Sequence, residues 1–314
     1  MRNKENLDLS IVIPVYNSES ILPHLVSQIN AVMRANEWSF EILLVCDCSP
    51  DASWNIILEL TDSHPFVKGI NLSINVGQHN ALMAGFGRAT GNVVITMDDD
   101  LQHEPQDIPK LIEALDSDCD VVYGRFTSRS HPTWKLIGSK VNDKVAGFLL
   151  EKPRGLYLSP FRAFRAKIKA EILRYSGPYV YVDGLILGAT KKIASVNIEH
   201  HKRLSGESRY GLLKSISLWS KMATNFSILP LRITSLLGLV FAALGFLLAL
   251  IFVAQKFTVD AMPDGWSSLM VAILLVSGVQ LLALGMLGEY LGRVLLTINS
   301  KPQFIIEAEA GFDD

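Results

Sequence analysis

The sequence predicts an α/β domain with a mostly parallel sheet, followed by two membrane-spanning helices. Three observations carry this expectation. Strand-like and helix-like segments alternate from Leu9 to Gly124, the pattern of βα units whose parallel sheet is covered by helices on both faces. One of those strands, Asn92 to Met97, runs straight into Asp98, Asp99 and Asp100. Acids there lie at the carboxyl edge of the sheet, where open α/β folds place their ligands. Near the end of the chain, Ile233 to Ala254 and Ser267 to Gly288 are each 22 residues without a charge. As helices, both cover a hydrocarbon core of about 30 Å.

Each element has its own local reason. Leu9 to Tyr16 is an apolar, β-branched run, and Asn17-Ser18-Glu19-Ser20 reads as a turn and cap for a helix to about Ala35. Phe40 to Val45 is a second strand ending at Cys46-Asp47-Cys48-Ser49-Pro50-Asp51, where Ser49 or Asp51 can cap a helix to Ser63. Val67 to Leu72 is a third strand. Asn75 to Asn80 opens a helix, Ala81 to Ala89, whose small residues allow close packing. After the acids, Pro105 suits the first turn of another helix. Asp120 to Gly124 is a fifth strand. Residues 126 to 160 form a basic excursion. Ser159-Pro160-Phe161-Arg162 leads to a helix near Lys167 to Tyr175, and Ile193 to Glu199 is a further strand.

The charge pattern places this domain. Net charge is -2, which gives no reason to expect nucleic acid. Hydrophobic residues make up 49% of the chain, concentrated in the two runs. Met1 to Leu9 is polar, so no signal peptide is expected. Lys221 and Arg232 precede the first run, and Arg293 and Lys301 follow the second. The positive-inside rule then puts both ends in the cytosol. In that reducing compartment Cys46, Cys48 and Cys119 stay free. Leu212 to Leu229 is amphipathic, which next to a membrane span predicts an interfacial helix; a helix packed on the soluble domain is the alternative. The expected organisation is a cytosolic domain over 1–210, the interfacial helix over 211–232, the membrane pair over 233–293 and a cytosolic tail over 294–314.

Three adjacent carboxylates repel unless a cation or a donor array neutralises them. Oxygen ligands suit Mg²⁺ or Mn²⁺, which often bridge to a diphosphate. The competing reading is an acidic turn capping the next helix. Three strand ends converge on the same edge: Pro14 to Glu19, Asp47 to Asp51 and Asp98 to Gln102. Together they suggest a nucleoside-diphosphate site without a glycine-rich phosphate loop. Basic loops at Arg125 to Arg162 and His200 to Arg209 offer guanidinium forks for a phosphate arriving from the membrane. A solvated basic surface is the plainer alternative.

The motifs Ile11-Val-Ile-Pro-Val-Tyr-Asn17, Asp47-x-Ser49-x-Asp51, Asn75-x-Gly77 and Asp98-x-Asp100-Leu101-Gln102 resemble family 2 glycosyltransferases with a GT-A fold. With Leu229-Pro-Leu-Arg232, the two apolar runs and Gly288-Glu-Tyr-Leu-Gly-Arg293, the chain is similar to bacterial polyisoprenyl-phosphate glycosyltransferases and to dolichol-phosphate-mannose synthase. That resemblance implies a Rossmann-like domain in the bacterial inner membrane. It implies inverting transfer of a sugar from a nucleotide-sugar, a UDP-sugar in the first instance, to undecaprenyl phosphate. Asp98, Asp100 and Gln102 would surround the metal, Mg²⁺ or Mn²⁺. Pro14, Tyr16, Glu19, Asp47, Asp98 and Asp99 would hold the nucleotide-sugar. Arg125, Arg162, Arg203, Ser208 and Arg209 would contact donor or acceptor phosphates, and Asp183 would help orient the donor sugar, unless it is only a helix cap or turn beside Gly184.

The chain departs from the family pattern at Cys46 and Cys48, where Asp and Gly are usual, at Leu156, where an Asp is frequent, and at Arg209, where Lys is usual. A non-catalytic membrane subunit and a transferase with another acceptor are the alternatives. Glucose, N-acetylhexosamine, a modified arabinose and mannose all stay open. Gly238, Gly245, Gly278, Gly285 and Gly288 allow close helix approach in the bilayer, which leaves a homo-oligomer open.

Overall fold

The computed structural model describes residues 8–115, 118–126, 156–177, 180–198, 234–241, 243–247, 265–299 and 302–312. They fall into two compact units, one of α/β structure and one of helices.

The α/β unit is built on an eight-stranded sheet. In chain order its elements are β1 (Leu9–Val15), α1 (Leu22–Ala35), β2 (Phe40–Cys46), α2 (Ser53–Ser63), β3 (Val67–Leu72), α3 (Gln78–Arg88) and β4 (Val93–Thr96). A short 3₁₀ turn and α4 (Ile108–Ala114) lead to β5 (Val121–Phe126). Then come β6 (Arg162–Arg165), α5 (Ala166–Leu173), α6 (Val182–Ala189) and β7 (Ile193–Ile198). The strand order is β7-β5-β6-β4-β1-β2-β3-β8, with β8 at Ile306–Ala310. β1 pairs in parallel with β2 and β4, and β2 with β3. Every residue of β1 is buried, as a strand covered on both faces must be. Leu22, Leu25, Val26, Ile29 and Met33 of α1 follow helical spacing and are all buried.

Two strands depart from the expectation. β6 is an antiparallel insert between β4 and β5, where the sequence suggested only an approach to a helix. β8 comes from the segment expected to be a tail and pairs antiparallel with β3. Its Glu309 meets Arg88 at 2.7 Å, Asn71 bonds Glu307, and Gln303 donates to the carbonyls of Tyr175 and Gly177. β8 thereby occupies the β3 edge, which would otherwise carry unpaired backbone groups.

Two glycines carry geometric weight. Gly77 caps α3 with φ +84°, a left-handed conformation open to glycine. A Cβ at Gly85 would come within 2.3 Å of Val12, so α3 can lie this close to β1 only with glycine there.

The second unit contains α7 (Thr234–Leu247) and α8 (Trp266–Ile298). Within α8, Val276–Ile298 is long and apolar enough to cross a membrane. Among the described residues it is the single such helix, against the two expected, because only a shorter apolar helix, Thr234–Leu247, falls within the described part of the first run. Residues 211–232, expected as an interfacial helix, lie outside the described residues.

Candidate active site

The loops after β1, β2 and β4 meet at the carboxyl edge of the sheet. Pro14, Tyr16, Asp47, Asp98, Asp99 and Asp100 line one open cleft there, together with Val15 and Gln78, with a cavity volume of about 170 Å³. The three acids have different surroundings. Asp99 turns toward the β1 loop, where its Oδ2 accepts from the Tyr16 N–H at 3.0 Å and the Ser18 hydroxyl at 2.5 Å. Burial pushes its carboxyl upward despite those donors. Asp98 and Asp100 instead gather with His103, their ligand atoms all within 4.8 Å of one another. Gln78 Nε2 donates to Asp98 Oδ1 at 2.6 Å, and the Gln102 N–H donates to Asp100 Oδ1 at 3.1 Å.

Two carboxylates and an imidazole in one small volume are a donor set suited to a divalent ion. His103 is buried and stacks on Phe161, ring centroids 5.2 Å apart. The sequence reading did not single out His103, although it directly follows Gln102.

Asp47 is satisfied internally: Oδ1 accepts from the Val76 N–H and Oδ2 from the Gly77 N–H, both at 2.8 Å. Burial raises its carboxyl pKa even so. Its side chain thus fastens the β2 end to the start of α3, while still lining the cleft. Glu19 is not among the cleft-lining residues; its Oε2 accepts from the Ala52 N–H at 2.8 Å, and its own N–H donates to Asp51. Asp51 also accepts from the Ser49 hydroxyl and the Ser53 N–H. Burial acts against the Asp51 charge, but these donors hold its carboxyl below the usual range. The stretch Asn17-Ser18-Glu19-Ser20 was expected to turn and cap α1; the N-cap is Ile21, without a side-chain cap, and the Ser18 hydroxyl serves Asp99.

The structure also brings together Arg162 and Asp183. Arg162, on β6, is 1% exposed and paired with Asp183 at the first turn of α6. The Tyr123 hydroxyl donates to the same Asp183 oxygen at 3.0 Å. Burial opposes the Arg162 charge, yet Asp183 outweighs it and the net shift is upward. In this arrangement the guanidinium that sequence reasoning assigned to a phosphate and the acid it assigned to the sugar neutralise each other. Arg125 is exposed at the end of β5. Arg203, Ser208 and Arg209 lie outside the described residues.

His79 joins this cluster from α3. Its Nδ1 faces the Val182 N–H at 3.5 Å, and its ring meets Tyr181 edge-on at 5.0 Å. Burial pushes the imidazole down to about 4, with Asp183 opposing the shift and Arg162 adding to it. A depressed folded pKa means that the unfolded chain takes the proton first, so stability is present above 6.5 and is lost as pH falls toward 4. The thermal midpoint is expected to drop across that window, and less steeply in His79→Gln. Equal slopes would contradict the assignment; carboxylate titration is common to both proteins and cancels.

A mostly parallel sheet with an acidic cleft at its carboxyl edge is the arrangement of GT-A nucleotide-sugar enzymes. The chain belongs to glycosyl transferase family 2, whose model matches residues 10–173. It is a glycosyltransferase. The model "GtrB C-terminal hairpin" matches residues 229–294. The undecaprenyl-phosphate 4-deoxy-4-formamido-L-arabinose transferase of Pectobacterium atrosepticum is 34% identical over 303 residues, covering 96% of this chain and 93% of that protein. The enzyme of the same name from Aeromonas hydrophila is 33% identical over 314 residues, covering 98% and 95%. Among solved structures, glucosyl-3-phosphoglycerate synthase from Mycobacterium tuberculosis, in complex with Mn²⁺, UDP-glucose and phosphoglyceric acid, is similar at TM-score 0.51 and 16% identity. The similarity covers 69% of this chain and 77% of that one, and it speaks for the fold.

Proposed function

We propose that this protein transfers a sugar, with inversion, from a UDP-sugar to undecaprenyl phosphate at the cytosolic face of the bacterial inner membrane. The carrying observation is the cluster of Asp98, Asp100 and buried His103, whose two acids line a cleft with Pro14, Tyr16 and Asp47. The near-full-length relatives named as undecaprenyl-phosphate transferases supply the acceptor class.

The nucleotide would lie along the loop after β1, with exposed Tyr16 against the base. Asp98, Asp100 and His103, with Gln102, would hold a divalent ion, which when bound neutralises the charge that develops on the leaving diphosphate. The imidazole in this donor set favours Mn²⁺ over Mg²⁺, because Mg²⁺ prefers oxygen ligands throughout. The acceptor needs no dedicated base. A phosphate monoester with a second pKa near 6 is already largely ionised at neutral pH. The protein's task is to align that oxygen behind the anomeric carbon and to exclude competing water. Arg125, Arg203, Ser208 and Arg209 are the proposed phosphate contacts.

The position of β8 supports a reading with two membrane crossings. A strand after α8 pairs with β3 of the catalytic sheet, which supports a chain that leaves and re-enters the bilayer on the same face. An even number of spans fits that pairing, and the hairpin model over residues 229–294 supports two. The region 233–293 is then the membrane hairpin, residues 211–232 lie at the interface, and both termini are cytosolic.

The test is transfer of label from a panel of UDP- and GDP-sugars into an organic phase, with purified protein, undecaprenyl phosphate and Mn²⁺. Transfer from one donor, abolished by EDTA, is the expected result. Absence of both transfer and metal-dependent nucleotide binding would overturn the proposal in favour of a non-catalytic subunit.

A further inference from the structure

We propose that Gln78 is a positioning residue for the metal carboxylate Asp98; this rests on the metal reading above. Gln78 begins α3, lines the cleft, and places its amide nitrogen 2.6 Å from Asp98 Oδ1. An exposed glutamine has several rotamers open to it. A bond this short to an ionised acceptor selects one of them.

The backbone that carries Gln78 is itself fixed on two sides. Before it, the Val76 and Gly77 N–H groups are bound by Asp47, and Gly77 adopts the left-handed φ that aims both at that carboxylate. After it, His79 is set against the Val182 N–H and the Tyr181 ring. The amide is thus presented from a rigid base rather than from a loose surface turn.

The chemistry favours glutamine over a charged donor. The cleft needs Asp98 oriented, so that one oxygen is held by the protein while the other serves the ion. A lysine would orient it too, but its ammonium would compete with the cation for the same charge. A glutamate would add a fourth carboxylate to an already repulsive group. A neutral amide donates one hydrogen bond and leaves the site's charge unchanged.

The experiment is Mn²⁺ binding to the full-length protein in detergent, with UDP present, followed by electron paramagnetic resonance. Gln78→Ala, Gln78→Lys and Gln78→Glu are compared with wild type and with Asp100→Asn, and thermal midpoints are recorded. Outer ligands of this kind alter metal affinity by about 10–100-fold. The expected result is a loss of that size in Gln78→Ala, a larger loss in Gln78→Lys, and thermal midpoints near wild type. A donor KM that changes while Mn²⁺ affinity stays at the wild-type value would mean that Gln78 touches the nucleotide-sugar directly, and would overturn the proposal. Unchanged affinity and unchanged kinetics would overturn it as well. If wild type binds no Mn²⁺ that Asp100→Asn removes, the metal reading itself fails, and this inference fails with it.

Discussion

Asp100→Asn is expected to abolish sugar transfer while leaving the α/β unit folded. Asparagine keeps the shape of the side chain, and its carbonyl oxygen can still accept from the Gln102 N–H, as Asp100 Oδ1 does. What is lost is one charge of the cluster formed with Asp98 and His103. Removing a single electrostatic stabiliser from a preorganised site costs on the order of 10²–10³ in kcat. A group that holds the ion should sit at or beyond the upper end of that range. The measurement pairs the label-transfer assay with a thermal melt of the same preparation. Turnover within a few-fold of wild type, at a wild-type melting point, would remove Asp100 from the metal site. A lost melting point would show a structural role instead.

Asp183→Ala is expected to cause the largest loss of stability. Arg162 is buried, and Asp183 is its ion-pair partner. Among the described residues Asp183 is the carboxylate paired with it, the Arg162 Nε is buried with no hydrogen-bond partner, and the neutral Tyr123 ring lies 5.9 Å from the guanidinium carbon. Removing one member of a buried ion pair costs about 3–5 kcal/mol, because the other is left as an uncompensated charge. In a domain of this size that is a fall in melting temperature on the order of 10 °C. Removing both charges behaves differently: an Arg162→Met, Asp183→Leu double variant should recover much of the loss. If Asp183→Ala melted like wild type and lost only activity, Asp183 would belong with the substrate, as the sequence reading first placed it. If the double variant melted no higher than the single one, the loss would lie in packing and in the Tyr123 hydrogen bond rather than in a stranded charge.

The order of the βα units was legible because each strand and helix announces itself locally. Leu9–Val15 is continuously apolar, and α1 carries its buried residues at helical spacing. The position of the acids after β4 was legible for the same reason: a strand's direction fixes which sheet edge its last residues reach. β6 was not, because Arg-Ala-Phe-Arg is four residues long and two of them are charged. Its partners on β4 and β5 lie far away in sequence. β8, Ile-Glu-Ala-Glu-Ala, alternates as an edge strand should, yet nothing local says that it returns to β3.

The division of labour among the acids shows the same limit more sharply. Three consecutive aspartates look equivalent in a string. In the fold, Asp99 turns to Tyr16 and Ser18, while Asp98 and Asp100 turn to His103. The sequence by itself determined the family, the sheet edge to which the three aspartates run and six of the residues that line the cleft there, Pro14, Tyr16, Asp47 and those aspartates, because periodicity and motif spacing are local properties. Only the tertiary structure decided that Arg162 neutralises Asp183, that Gln78 reaches Asp98, and that the end of the chain closes the sheet. Each of these is a contact between distant segments, set by how the β-strands register and the helices pack, and no local pattern encodes it.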